Sequence, residues 1–179
     1  MQDPEIMPEK ITALLEANGA SDITVDGYEA MTGGYSRLMA QFEASFTING
    51  TSESGTYVLR GDPPEGTAII DTDRTQEFEV LQAVKPHLNT PAARFLDSDG
   101  TFIGTPALVL DFTTAESTLP WIEQNGVTTL PEKLAELAGA VHTIPVEALP
   151  SSLKRPASGD PLTDQIAMWK HTAHEHVEA

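Results

Sequence analysis

Two short stretches of this 179-residue chain hold side chains whose types and spacing could bind a cation. His171, His174 and His176 lie near the C-terminus, with Glu175 and Glu178 beside them. A separation of three residues on a helix can bring two imidazoles to one metal ion. The stretch has no His-Glu-x-x-His pattern and sits where a helix frays, so adventitious capture is expected there rather than a built centre. Asp97, Asp99 and Gly100 have the opening spacing of a calcium loop, but the twelfth position, which needs a bidentate Glu, is Leu108. That stretch is read as a plain turn. There is no Cys, which removes disulfides and thiolate chemistry.

Composition narrows the class further. The chain is 40% hydrophobic, enough for a real core, and its 13 Gly and 13 Pro fit a globular domain. The net charge of −17 would repel a nucleic acid or an anionic membrane, and no Lys/Arg cluster offsets it. The acidic excess, spread along the chain, reads as a solubility device; attraction of a cationic substrate is the sharper alternative. The N-terminal stretch has neither the basic start nor the apolar run of a secretory signal, and no apolar run is long enough to cross a bilayer. A cytoplasmic protein is expected.

The elements that must position any site follow from periodicity. Pro8 to Asn18 carries Ile11, Leu14 and Leu15 at helical spacing. Ser21 to Met31 reads as a strand broken near Gly27, and Gly33-Gly34 as a tight turn. From Leu38 to Ile48 every second residue is apolar, the mark of a half-buried strand. Asn49-Gly50 opens a turn region that is expected to run to Gly55, before a short strand from Thr56 to Arg60. Asp71 or Thr72 is expected to cap a helix reaching Lys85, with Phe78, Leu81 and Val84 on its apolar face. Arg94 to Leu96 and Ala107 to Phe112 read as a hairpin. Leu130 to His142 and Leu162 to Val177 read as helices, the first with Leu134, Leu137, Ala138 and Val141 on one face. The fold class is α+β: a five-stranded antiparallel sheet with a packed helix over residues 1–113, then helices over 114–179.

This order, with a glycine-bearing hairpin first, resembles the N-terminal lobe of the protein-kinase-like fold, and the residues narrow the resemblance to the aminoglycoside phosphotransferase-like family. Thr32-Gly33-Gly34-Tyr35-Ser36-Arg37-Leu38 is similar to its "GG-x-S-N" turn. Tyr57-Val58-Leu59-Arg60 followed by Pro63-Pro64-Glu65-Gly66 resembles its "vLR-xPP-xG" segment. Arg74, Glu77, Val80 and Leu81 fit the "r-x-x-E-x-x-vL" start of the next helix. Leu108 to Phe112 looks like the strand leading to the hinge between lobes, and Leu134 to His142 like the "LA-x-LA-x-x-LH" helix that opens the second lobe. The resemblance covers roughly residues 8–145.

The resemblance implies the following roles. Gly33 and Gly34 let backbone approach the phosphates of ATP, because no Cβ stands in the way, and Ser36 adds a hydroxyl. Arg60 contacts the phosphates and pairs with Glu77; Arg74 and Glu79 are the neighbours most easily mistaken for the partners. Glu77 is favoured because its offset from Leu81 and Val84 places it beside the packed face. Backbone around Leu110, Asp111 and Phe112, to Thr113, receives the adenine. His142 is a packing or capping residue.

The family's catalytic "H-G-D-x-x-x-x-N" loop, whose residues orient the acceptor and hold Mg²⁺, does not occur: there is no His-Gly pair, and no Asn follows Asn125. The expectation is therefore the ATP-binding portion of a small-molecule phosphotransferase, truncated before its catalytic residues and Mg²⁺ ligands and inactive alone. Its partners would be a nucleotide and, in a longer protein, a small-molecule acceptor. The alternative is a non-catalytic binding module that could dimerise through an exposed seam on the Leu130 to His142 helix.

Overall fold

Pro8 in the first turn and apolar residues at helical spacing form α1 (Met7–Ala17), whose Met7, Ile11, Leu14 and Leu15 are all buried. The computed structural model describes residues 3–31, 38–62, 73–114, 118–153 and 156–177. The chain divides into two compact units, Met1–Leu149 and Pro150–Ala179. In the first, β1 (Ser21–Ala30), β2 (Leu38–Ile48), β3 (Thr51–Gly61), β4 (Ala93–Asp97) and β5 (Ala107–Asp111) form one antiparallel sheet in the order β1-β2-β3-β5-β4. The five-stranded antiparallel sheet of an α+β fold is thus present as read.

The alternation in β2 buries Ala40, Phe42, Ala44 and Phe46 on one face. Tyr57, Leu59, Phe95, Ala107 and Val109 join them against α1 as the main core. Burying each large apolar side chain of α1 there contributes about 2 kcal/mol before the cost of ordering it. The opposite face carries Val58, Leu108 and Leu110, covered by α2 (Arg74–Val84) through Phe78, Leu81 and Val84. Register ties the two faces to the sequence: Leu59 lies opposite Val109, and Arg60 opposite Leu108. Arg60 therefore projects on the side of α2 and not on the side of α1.

Three local expectations change. The turn after β2 is only Asn49-Gly50, with φ of 51° and 76°, and Ile48 already pairs with Thr51. Both residues take the left-handed conformation that a two-residue hairpin turn requires. Strand β3 thus begins at Thr51; its polar first half pairs with Thr47 and Ser45 on the β2 ladder, so hydrogen bonding extends a strand that hydrophobicity does not announce. The cap of α2 is Asp73 rather than Asp71 or Thr72: its Oδ1 accepts the Gln76 amide at 2.9 Å. A helix not foreseen, α3 (Thr118–Asn125), precedes α4 (Leu130–His142). Neither α3 nor α4 has a buried residue, and Leu134, Leu137 and Val141 on α4 are half exposed or more. The second unit contains α5 (Pro161–Val177).

Candidate functional site

Strand β3 delivers Arg60 to the open end of the α2 face, one residue before Gly61. Opposite it on β2 is Met39 and on β5 is Leu108, so the aliphatic stem lies on apolar neighbours. The guanidinium reaches α2: its Nη1 is 2.6 Å from Oε1 of Glu77. Both side chains keep part of their surface, 29% for Arg60 and 23% for Glu77. A partly exposed cation can take up a further anion; a fully buried one could not.

Glu77 has a second partner. Its Oε2 accepts from Nη1 of Arg74, three residues earlier on the same helix. Arg74, expected to be only a neighbour of the pair, is itself a partner of Glu77. Its side chain is fully buried. Its Nε and Nη2 meet Asp62 Oδ1 at 2.7 and 2.6 Å, and Nη2 also donates to the Gly61 carbonyl at 3.3 Å. Gly61 fits a tight place on the other face of the strand: a Cβ there would stand 2.7 Å from Leu38 Cδ2 and 3.2 Å from Thr105 Cγ2. The signal for Arg74 in the sequence was its three-residue offset from Glu77, which places both on one helix face; nothing local announced Asp62.

Gly33, Gly34 and Ser36 fall outside the described residues, as does Pro63 to Gly66. At the end of β5, Leu110 is buried on the α2 face beside Val58. The amide of Asp111 donates to Ala92 O and that of Phe112 to Thr56 O, each within the sheet. The Asp111 side chain points to the other face, where its Oδ1 accepts from Arg94 Nε at 2.7 Å. Arg94 Nη2 also reaches Glu53 Oε2 at 2.6 Å. This three-residue ion network, missed in the sequence, acts electrostatically on Tyr57. Burial raises the Tyr57 phenol above its ordinary pKa of 10.0, with Arg94 acting in the opposite direction.

Two shallow concavities lie on the sheet away from Arg60. One, of about 300 Å³, is lined by Thr24, Asp26, Glu43, Ser45, Ser54 and Thr56, and the other surrounds the Arg94 network. His142 is exposed at the last position of α4, and His171 and His174 are carried by α5. Among the described residues no three His, Asp or Glu side chains stand together as a metal site.

The profile of the phosphotransferase enzyme family, APH, matches residues 36–178. No curated protein sequence matches the chain. The family match begins after Gly33-Gly34, takes in Arg60, Asp62, Arg74 and Glu77, and continues through α4 and nearly all of the second unit. With a kinase-like five-stranded sheet and an Arg–Glu pair joining that sheet to its helix, the chain belongs to the phosphotransferase enzyme family.

Proposed function

We propose that this chain is the ATP-binding portion of a small-molecule phosphotransferase, in which residues 1–113 hold the nucleotide and Arg60 grips its phosphates. The observation that carries the reading is the Arg60–Glu77 ion pair at 2.6 Å, with the Arg60 side chain still 29% exposed. Phosphoryl transfer depends mostly on positioning and on neutralising charge, and a planar guanidinium suits both a carboxylate and a phosphate. Gly33, Gly34 and Ser36 are assigned to the phosphate side by their place in the sequence. For the adenine, Val58 and Leu110 supply apolar surface on the α2 face. Because the Asp111 and Phe112 amides already bond within the sheet, the hinge contacts are assigned to the Asp111 carbonyl and the Thr113 amide.

Enzymes of this family use ATP with Mg²⁺. The half-exposed Arg60 fits the nucleotide's phosphates, but the described residues do not offer a metal-ligand set, so no Mg²⁺ ligand is assigned to them. No residue of this chain is assigned the transfer step, and the acceptor is a small molecule.

The test is calorimetric titration of the chain with MgADP, MgATP and adenosine. The expected result is measurable nucleotide binding that loses its phosphate-dependent part in Arg60→Ala while adenosine binding persists. Absence of any nucleotide binding would end the proposal. The exposed Leu134, Leu137 and Val141 on α4 favour a second reading, a non-catalytic binding module. Nucleotide-independent dimerisation lost in Leu137→Ser, with no thermal shift in MgATP, would select it.

A further inference from the structure

We infer that Arg74 is a positioning residue: it locks α2 against β3 before any ligand arrives, so that the grip at Arg60 is assembled in advance. The part concerning the grip rests on the function proposed above.

One buried guanidinium ties three places together. Its Nε and Nη2 hold Asp62 Oδ1 at 2.7 and 2.6 Å, Nη2 also touches Gly61 O at 3.3 Å, and Nη1 holds Glu77. Gly61 and Asp62 directly follow Arg60 in the chain, whereas Glu77 belongs to α2. Withdrawing α2 from the sheet would pull the guanidinium off Gly61 and Asp62, or strip Glu77 from it. Either movement takes one of its two carboxylates from a buried guanidinium, which proteins tolerate poorly. A helix that swings Glu77 away from Arg60 is therefore disfavoured while Arg74 is present.

Two features indicate that this placement is not incidental. Arg74 occupies the first turn of α2, where the helix dipole disfavours a cation. Its carboxylate partners offset that penalty. Its contacts also need a fork: three nitrogens reach two carboxylates and a carbonyl, which a Lys ammonium could not do in one geometry.

The arrangement also divides Glu77. Oε1 faces Arg60 and Oε2 faces Arg74, so Glu77 does not close on Arg60 with both oxygens. Arg60, Arg74, Asp62 and Glu77 together sum to zero charge. Removing Arg74 would leave Glu77 to turn fully onto Arg60 and would add a net negative charge where phosphates must come. Phosphate binding should then weaken, and binding of the nucleoside should not.

Hydrogen exchange on the ligand-free 179-residue chain tests the lock, comparing wild type, Arg74→Gln and Arg74→Lys. Arg74→Gln should speed exchange of the α2 amides by about tenfold or more while β5 amides hold, with Arg74→Lys between the two. Unchanged protection of α2, or an equal rise in α2 and β5, would overturn the inference. Titration with MgADP and adenosine tests the grip. Arg74→Gln should weaken MgADP by about tenfold and leave adenosine unchanged; equal losses would refute the positioning role. If wild type binds neither ligand, the proposed function fails, and the exchange result still decides the lock. Should Arg74→Gln not fold, Asp62→Asn, which removes one anchor and leaves Glu77, is read by the same two criteria with smaller effects.

Discussion

Arg60 Nη1 stands 2.6 Å from Glu77 Oε1, and the same carboxylate turns its other oxygen to the buried Arg74. Glu77 is thus the joint between a half-exposed cation on β3 and a fully buried one on its own helix. The two cations respond differently to its loss.

Glu77→Gln should destabilise the chain by about 3 kcal/mol, because the buried Arg74 loses one of its two carboxylates. Arg60→Ala removes a partly exposed pair and should cost about 1 kcal/mol or less. Urea unfolding of both variants measures the difference, and equal costs would contradict the division of Glu77 between two arginines.

Phe42 is buried in the main core, whereas Leu137 on α4 is 54% exposed. Truncating Phe42 to Ala should cost about 3–5 kcal/mol. Leu137→Ala should change stability by no more than about 0.5 kcal/mol. A large loss in Leu137→Ala would show that the α4 face is covered in solution.

Asp73 caps α2 through the Gln76 amide. Asp73→Ala should lower stability by about 1 kcal/mol, and Asp73→Asn should retain most of it. Since α2 carries Glu77, thermal unfolding and MgADP titration of the same variant would show whether fraying at the cap reaches the ion pair.

Burial raises the Tyr57 phenol above 10.0, with Arg94 opposing that shift. The folded chain therefore favours the neutral phenol. Its contribution to stability is fully present below pH about 10 and is lost as pH climbs through the raised folded-state value. Burial raises Tyr28 as well, so ultraviolet titration of tyrosinate should show late-titrating phenols, one of which disappears in Tyr57→Phe. In Arg94→Ala that phenol should titrate later still, because the opposing cation has gone; an unshifted or earlier titration would refute the assignment.

Much of the fold was readable in linear order because its signals are local. The alternation of Leu38 to Ile48 became β2 at the same residues, and the Leu130 to His142 periodicity became α4. Where polar residues took a strand conformation, as at Thr51 to Gly55, pattern was silent and ladder pairing decided. The cap at Asp73 was misplaced by one or two residues, because Asp71, Thr72 and Asp73 are all competent and only the helix geometry selects among them.

For the site, the amino-acid sequence by itself determined that an Arg would end one strand and a Glu would sit on the next helix beside its apolar face. It also determined that the family's catalytic loop pattern does not occur within these 179 residues. Only the tertiary structure decided which charges meet. Arg74 and Asp62 are twelve residues apart and join because α2 packs its N-terminus onto the end of β3. Glu53, Arg94 and Asp111 come from three strands and meet only where β3, β5 and β4 lie side by side. Local periodicity fixes which face a side chain occupies, whereas partners across the sheet depend on register and strand order, which no short window of residues contains.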